Sequence, residues 1–397
     1  MVKVGEEFVR TEVQFIPAKL KVIDHYQETY ECRSCRKNGT PYMEKAPVPY
    51  PPVLHSLASA STITWLIHQK FELSIPLYRQ EKEWEALGLR LSRATMSNWL
   101  LVVYRDWLVH IVHRLKLELL KQRYLHIDET HVQVLKEPGR KNTSDSYMWV
   151  YCSIRDAVNP IRYFEYQPGR SGKYPEAFLR EYEGYIHTDA YSGYNAVSGV
   201  KRCLCYTHLR RAFVDALPKD IHNSEASKPA EAILRLNQLF NIESELEALP
   251  PDQKKKERLI REKPLLEAFW SWAEKSAIGE LPKSKLSKAF HYALNNREGF
   301  WNYLEDGNCS ISNSLAENCI RPFVIGRKNW LFSGSPKGAE ASAGIYTLVE
   351  TAKANGLAPM KYIKYILSDM PGSAFLEHPE YLDDYLPWNP LVKEFCR

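Results

Sequence analysis

The stretch that decides the fold is Tyr124-Leu-His-Ile-Asp-Glu-Thr-His-Val-Gln-Val-Leu135, an apolar, strand-like run with acids at its centre. Its Tyr, Ile, Val and Thr residues favour a β-strand. A carboxylate within such a strand costs free energy unless it is paired or bound to a metal. Alternation along a strand turns Glu129 to the face opposite Asp128. A structural salt bridge explains either acid, and the flanking pattern favours Asp128 as a metal ligand.

Two further acids lie in recognisable settings. Asp189 follows the apolar run 184–188, and Glu317 lies in the helix-like stretch 313–322. Taken singly, Asp189 is explained by a helix N-cap or an Asx turn, and Glu317 by a solvated helix residue. Together with Asp128, on these elements and in this order, they predict a site for two divalent cations, Mg²⁺ or Mn²⁺. Two-metal sites carry out in-line displacement at phosphorus, so the pattern indicates nucleic-acid strand chemistry.

The order of elements around these acids predicts an α/β fold with a ribonuclease-H-like (retroviral-integrase-type) catalytic domain. In that layout the first strand carries one acid, the fourth strand ends at another, and a later helix supplies the third. The separation between Asp189 and Glu317 is too long for one connection, so a large helical insertion is expected at about 209–305. The predicted strands are 124–135, 147–154, 160–166, 184–188 and 200–206, with a short helix at 174–182. Beyond Glu317 we expect a turn and hairpin at 322–333 and a helix at 338–355, and the catalytic domain then covers 121–356.

Composition and charge fit a cytoplasmic protein of several domains. The chain has 397 residues, 44% hydrophobic and 25% charged, with a net charge of +5, which by itself is weak evidence for nucleic acid. It contains no apolar run of about 18 residues and no apolar signal core near its start, so no membrane span and no export are expected. Eight cysteines without an export signal do not indicate a disulfide framework.

The region before the catalytic domain divides at a proline-rich segment. Residues 1–45 predict a small β-rich module, and residues 46–52, with four prolines in seven positions, predict a stiff linker. Cys32 and Cys35 form a single Cys-x-x-Cys, whereas a structural zinc site needs four ligands. A free thiol pair or half of a lost zinc site is favoured over a working zinc site.

Residues 46–120 predict a helical region that resembles a helix-turn-helix. A helix that ends at Gly88 is followed by a second helix capped by Ser92, as the motif requires. Arg93 is nearly the only basic residue on that second helix, so a plain helical hairpin and a DNA-reading unit both stay open. At the other end, residues 357–397 predict a helix at 359–369 and a tail that docks by its aromatic side chains.

Two groups of residues near the acids predict contacts to DNA. Cys205-Tyr-Thr-His208 is either a buried cysteine with a core histidine or an architectural, DNA-positioning element beside the catalytic centre, since a metal site from Cys205 and His208 alone lacks two ligands. Basic and aromatic residues follow this motif and Glu317, where they suit phosphate contact and base stacking; a solvated basic surface explains any one of them. These residues are Arg210, Arg211, Arg321, Arg327, Lys328 and Trp330.

With these motifs the chain resembles the insertion-sequence-66 (TnpC-type) family of DDE transposases from bacterial mobile elements. The resemblance spans nearly the whole chain. It implies that Asp128, Asp189 and Glu317 are the catalytic triad of a transposase that uses two Mg²⁺ ions to cut and join DNA at element ends. It also implies terminal inverted repeats and target DNA as partners, a homo-oligomer on DNA at the nucleoid, and accessory proteins from the same element. The motifs are Pro76-Leu-Tyr-Arg-Gln80, Leu125-His-Ile-Asp-Glu-Thr130, Thr188-Asp-Ala-Tyr-Ser-Gly-Tyr194, Cys205-Tyr-Thr-His208, the stretch 313–322, Gly326-Arg-Lys-Asn-Trp-Leu-Phe-Ser-Gly334, Ile345-Tyr-Thr-Leu-Val-Glu-Thr-Ala-Lys-Ala-Asn-Gly356 and Leu386-Pro-Trp388.

Three departures from the family pattern set the alternatives. Cys32 and Cys35 match only the second half of the family's zinc module, so the start looks shortened and zinc binding is left open. Ser312 stands where the family tends to have Asp, and Asn318 where it tends to have Arg, which predicts a weaker phosphate contact. The alternatives are a catalytically impaired, DNA-binding remnant and a plain nuclease without strand transfer. The long insertion argues against the nuclease, because a minimal nuclease needs none.

Overall fold

The computed structural model describes residues 4–15, 18–218 and 227–397. Residues 1–3 and 16–17 of the expected N-terminal module, and residues 219–226 of the expected insertion, lie outside the described residues.

The N-terminal region forms a small hairpin rather than a fuller β-module. Strand β1 (Thr29–Glu31) pairs antiparallel with β2 (Met43–Lys45), and helix α1 (Arg33–Lys37) lies between them. Residues 19–23, an alternating apolar segment within the expected β-rich module, have no regular structure. Val22 is 86% exposed, so the alternating apolar residues have no core against which a strand would be held.

The next region is helical, as predicted. Ser92 caps α4 through its Oγ, which accepts the Thr95 N–H at 3.1 Å, and Gly88 ends the preceding helix with a φ of +89°, a conformation that suits glycine. The helix, turn and capped helix are therefore confirmed, while DNA reading by this unit stays a prediction. The helices are α2 (Ala60–Ile67), α3 (Leu77–Ala86), α4 (Arg93–Val103) and α5 (Val109–Leu120), with π-helical turns at His68–Glu72 and Tyr104–Leu108.

A mixed sheet follows, and its strands match the predicted ones to within two residues at each end. The path of the sheet is β5-β4-β3-β6-β7. Strands β3, β4 and β5 pair antiparallel, whereas β6 lies parallel to β3 and β7 parallel to β6. The elements are β3 (Tyr124–Val134), β4 (Asp145–Ser153), β5 (Arg162–Gln167), α6 (Lys173–Phe178), β6 (Gly184–Thr188), a 3-10 turn (Ser192–Ala196) and β7 (Val200–Leu204).

The stretch expected as an insertion is helical in its described residues, and it packs with residues of β6 and β7 into a second hydrophobic core. Phe213, Phe269, Trp270, Phe290 and Phe300 are buried at its centre. The helices are α7 (Tyr206–Val214), α8 (Lys228–Glu245), α9 (Pro251–Arg261), α10 (Lys263–Ala277), α11 (Lys285–Asn295) and α12 (Arg297–Trp301), followed by a 3-10 turn (Asn302–Glu305).

The segment after the insertion corrects one expectation. The turn and hairpin expected at 322–333 was wrong, because helix α13 continues through Pro322. Proline removes a helix hydrogen bond, but Ile320 and Phe323 on either side are buried, and tertiary packing of such a face outweighs local propensity. The elements are α13 (Ser314–Trp330), β8 (Phe332–Ser333, parallel to the end of β3), α14 (Pro336–Ala354), α15 (Pro359–Asp369), a 3-10 turn (Pro379–Tyr385) and α16 (Pro390–Cys396).

One core joins the early helices, the sheet and the C-terminal helices. Phe71 from the helical region, Phe164 from β5 and Tyr346 from α14 are buried together, with ring centroids 5.1 and 5.5 Å from Tyr346. Tyr385 of the tail is buried in the same core, as the predicted aromatic docking requires. The expected boundaries at 120 and 356 therefore run through a shared core, and the division into domains stays a prediction. Within the described ranges, none of the helices is both long enough and apolar enough to span a bilayer.

A buried acid in the insertion makes stability depend on pH. Glu262 is fully buried and accepts a 2.6 Å hydrogen bond from the Tyr303 hydroxyl, and burial, followed by the charge of Glu243, raises its pKa to about 8. The folded state therefore keeps a proton between about pH 4.5 and 8 that the unfolded chain releases, so stability falls as pH rises through that window.

Replacing Glu262 with glutamine should remove this dependence. The Glu262→Gln variant keeps an acceptor for Tyr303 and carries no charge, so its free energy of unfolding should exceed that of the wild type at pH 8 by on the order of 2 kcal/mol and match it near pH 5. Urea unfolding at both pH values measures the difference. Exposed Glu267 serves as the control through Glu267→Gln, and equal pH slopes in both variants and the wild type would contradict the assignment.

Candidate metal centre

The register of two parallel strands places Asp128 beside Asp189. His126 of β3 pairs with His187 of β6, and each acid lies two residues further on. Residues two apart on a strand share a face, so Asp128 lies on the same face of β3 as His126. The imidazole rings of His126 and His187 are stacked, with centroids 4.2 Å apart. The two His-x-Asp segments thus end side by side at the carboxyl edge of the sheet.

Asn313 fixes the start of α13 against β3 and so positions Glu317. Its Nδ2 donates to the Ile127 carbonyl at 2.7 Å, and its Oδ1 accepts from His126 Nδ1 at 3.0 Å. Burial and then His187 lower the pKa of His126 well below its usual value, so this imidazole stays neutral. Glu317 lies in the first turn of α13, four residues after Asn313.

The three acids share one electrostatic environment. Burial is the largest cause that raises the pKa of Asp128 to about 8, followed by the charge of Glu129 and then those of Asp189 and Glu317. Carboxylates that disfavour one another's ionisation in a buried site are stabilised by a bound cation. Asp189 and Glu317 therefore lie near enough to Asp128 to contribute to the rise in its pKa.

Asp189 lies in a braced turn. Its Oδ1 accepts the Tyr191 N–H at 2.9 Å, so the Asx turn considered from the sequence is present, and its Oδ2 is 3.9 Å from an Arg170 nitrogen. Arg202 of β7 donates to the backbone carbonyls of Asp189 (2.6 Å) and Tyr191 (2.8 Å) and to the Thr188 hydroxyl (2.7 Å). One carboxylate oxygen thus shapes the turn, while Oδ2 stays available to a ligand.

Glu129 forms the structural ion pair expected of the second acid in β3. Arg170 donates to it at 2.6 Å, and the Tyr194 hydroxyl donates at 2.5 Å. The Arg170 guanidinium also lies 3.9 Å from the ring centroid of Tyr191. Arg170 therefore links Glu129 to the turn that carries Asp189.

Asn313 offers a direct test of how the helix is held. Asn313→Ala removes two buried hydrogen bonds and leaves the Ile127 carbonyl without its partner, so we expect a loss of about 2 kcal/mol in the free energy of unfolding. Asn318 is exposed on the same helix, and Asn318→Ala should change stability by less than about 0.5 kcal/mol. Chemical denaturation of both variants measures the contrast, and equal losses would show that Asn313 does not hold α13 in place.

Glu317 also meets the Cys-x-x-His motif. Its Oε1 is 3.7 Å from His208 Nδ1, and its Oε2 is 4.0 Å from an Arg211 nitrogen. Cys205 caps the start of α7, and its sulfur accepts the Asn313 N–H at 3.1 Å. Cys205 and His208 therefore adjoin the catalytic candidates, as the positioning role predicts.

The basic residues lie in different surroundings. Arg211, Arg321 and Lys328 are exposed, and Arg327 reaches β3, where it donates to the Thr130 hydroxyl at 3.2 Å. Arg210 donates to Asn237 of α8 at 2.7 Å, and so contributes to the insertion's own packing.

Trp330 and the N-terminal cysteines complete the predicted residues. The Trp330 ring is half-buried, 6.5 Å from that of Tyr346, so base stacking by Trp330 stays a prediction. Cys32 precedes α1 and Cys35 lies within it, and both are free thiols. Neither belongs to the groups of Cys, His and acidic side chains in the described residues that could hold a metal.

The donor set of the three-acid cluster fits hard divalent cations. Asp128, Asp189 and Glu317 offer carboxylate oxygens, which Mg²⁺ and Mn²⁺ prefer. Burial and then the charges of Glu129, Asp189 and Glu317 raise the pKa of Asp128, and a cation bound there would favour its ionised form.

Sequence reasoning missed the residues that brace the acids: Asn313, Arg170 and Arg202. The one signal that could have found part of this arrangement is the repeated His-x-Asp at 126–128 and 187–189, since a shared spacing on parallel strands indicates neighbouring positions.

Two family models match the chain, and one of them covers the residues of this site. One, described as "Transposase IS66 family", matches residues 55–341, and another, "zinc-finger binding domain of transposase IS66", matches residues 1–36. The chain belongs to the IS66 family of transposases. The resemblance inferred from the motifs is thereby confirmed, and membership in the IS66 family supports a transposase role with DNA as the partner.

Curated relatives of this IS66 family member come from Sinorhizobium fredii (strain NBRC 101917 / NGR234). Uncharacterized protein y4hP is 26% identical over 97% of this chain and 71% of its own length. Uncharacterized protein y4qI is 27% identical over 98% of this chain and 72% of its own length. The similarity thus extends along nearly the whole chain.

Proposed function

We propose that this protein cleaves DNA strands at the ends of an insertion sequence and transfers them to target DNA in a metal-dependent reaction. The observation that carries the proposal is the environment of Asp128: burial raises the pKa of its carboxyl most, and the charges of Glu129, Asp189 and Glu317 add to the rise. A carboxyl perturbed by burial and by neighbouring acids is typical of a functional site.

The acidic residues are assigned to metal binding and the basic residues to contact with DNA phosphate. Asp128, Asp189 and Glu317 would hold two Mg²⁺ ions. When bound, the ions supply an activated water or 3′-hydroxyl and stabilise the leaving oxygen. Arg211, 4.0 Å from Glu317, and Arg327, bonded to Thr130 two residues beyond Asp128, lie where they can contact the phosphate. Arg321 and Lys328, exposed on α13, extend this basic surface along the DNA backbone.

The strand path supports a ribonuclease-H-like catalytic domain. Three antiparallel strands are followed by two strands parallel to the first, with acids on the first and after the fourth. The remaining expectations belong to this proposal: a homo-oligomer on paired element ends at the nucleoid, accessory proteins from the same element, and the division into a zinc-finger-like module, a helical region and a catalytic domain.

The test is strand cleavage and joining on labelled element-end DNA. We expect a nick that leaves a 3′-hydroxyl, followed by joined product, with Mg²⁺ or Mn²⁺ and not with a chelator. A gel shift on the same DNA separates the alternatives. DNA that is shifted but neither cleaved nor joined at any metal concentration would favour the DNA-binding remnant. The exposed Asn318, which stands where the family tends to have Arg, supports this alternative. Cleavage without joining would indicate the plain nuclease.

A further inference from the structure

Two groups of cysteine, histidine and acidic side chains in the described residues have metal-ligand spacing. In the buried group His187, Cys203 and Cys309, the imidazole is already in use. His187 Nδ1 donates to the Leu125 carbonyl at 3.1 Å, and Nε2 accepts the Ser310 N–H at 2.8 Å. With no free nitrogen lone pair, this group cannot bind a cation through its histidine.

The other group, Cys205, His208 and Glu317, contains ligand atoms that are still available to a cation. Its ligand atoms all lie within 4.8 Å of one another. His208 Nδ1 and Glu317 Oε1 are buried, have no hydrogen-bond partner and face each other at 3.7 Å. Buried polar atoms without partners are rare and costly. A cation between them would satisfy both atoms.

The spacing and surroundings suit a tetrahedral site. Ligands at about 2.0–2.1 Å from a zinc ion lie about 3.4 Å apart, close to the observed nitrogen–oxygen distance. The Cys205 sulfur accepts the Asn313 N–H at 3.1 Å. Such an N–H donor stabilises a thiolate and orients it as a ligand.

We propose that Cys205 Sγ, His208 Nδ1 and Glu317 Oε1 bind a borderline-soft transition-metal ion, best matched by Zn²⁺, with a fourth position open. Thiolate and imidazole ligands select zinc over Mg²⁺. The ion would fix Glu317 through Oε1 and leave Oε2 facing Arg211. The Cys-x-x-His motif then acts by holding the third acid in place, because it ties the start of α7 to the start of α13.

The site shares Glu317 with the proposed function, so its test measures metal binding rather than DNA cleavage. Full-length protein with Cys32→Ser and Cys35→Ser, which removes the other cysteine pair, is titrated with Co²⁺ as a spectroscopic substitute for Zn²⁺. We expect one equivalent of Co²⁺ with a thiolate-to-cobalt charge-transfer band, displaced by Zn²⁺. The further change Cys205→Ser should abolish the band, and Glu317→Gln should weaken Co²⁺ binding at least tenfold.

The matched control is Cys203→Ser in the same background, which should keep the band because the neighbouring group has no free imidazole nitrogen. Absence of the band in the folded parent protein would overturn the proposal. So would a band that survives Cys205→Ser or disappears with Cys203→Ser. If the wild-type protein cleaves DNA but gives no band, the zinc site is wrong and the proposed function is unaffected. If it gives the band but does not cleave DNA, the zinc site is supported and the proposed function is contradicted.

Discussion

Asp128→Asn should reduce metal-dependent cleavage of element-end DNA by roughly 10³-fold or more. A metal ion supplies several kcal/mol of transition-state stabilisation, and each 1.36 kcal/mol is about tenfold in rate. Asparagine keeps the size of the side chain but removes the charge that would hold the cation. Because burial already disfavours the ionised Asp128, the variant should fold at least as stably as the wild type. Initial rates of nicking at saturating Mn²⁺ measure the loss.

The control for this variant is Asp145→Asn. Asp145 begins β4, is exposed, and lies 3.7 Å from His131, so its loss should change the rate by no more than about twofold. Gel shifts with the same DNA check that both variants still bind. A rate for Asp128→Asn within tenfold of the wild type would remove Asp128 from the metal site.

Arg258→Met should lower the free energy of unfolding by about 3–5 kcal/mol, the cost of breaking a buried ion pair by removing one partner. The Arg258 side chain is fully buried. It donates to both carboxylate oxygens of Glu243, at 2.6 and 2.8 Å. It also donates to three carbonyls of the segment before α13, those of Tyr303, Asp306 and Cys309. Methionine fills the space but satisfies none of these acceptors.

Arg261 provides the comparison on the same helix. It pairs with Glu245 at the surface, and exposed pairs contribute at most about 1 kcal/mol, so Arg261→Met should have little effect. Urea unfolding of both variants distinguishes the two positions. Similar small losses would mean that Arg258 does not hold the segment that leads to Glu317, and that α9 does not support α13 in this way.

The strands and acids could be predicted because their signals are local. Asp128 interrupts an apolar, β-branched run, and Asp189 follows another, so pattern and position coincide. The hairpin expected at 322–333 was wrong because contacts distant in sequence decide the structure there. Pro322 carries a strong local signal, but the burial of Ile320 and Phe323 is decided by the sheet and by α14, which lie far away in sequence.

The residues that support the acids could not be read from the sequence. Arg170 reaches Glu129 from 41 residues away, and Asn313 meets His126 from 187 residues away. No spacing rule connects such positions in a single sequence, because tertiary folding alone makes them neighbours. The pairing of His208 with Glu317 is hidden in the same way, although its Cys-x-x-His motif is visible.

The most direct test of the central claim is a Mn²⁺ titration of the protein bound to element-end DNA, followed by electron paramagnetic resonance. The protein is first loaded with Zn²⁺, so that thiolate ligands do not compete. If Asp128, Asp189 and Glu317 form one two-metal site, the wild type should bind two Mn²⁺ ions per active chain. Asp128→Asn and Asp189→Asn should each lose at least one ion or bind at least tenfold more weakly. Titrations of both variants that coincide with the wild type would contradict the account.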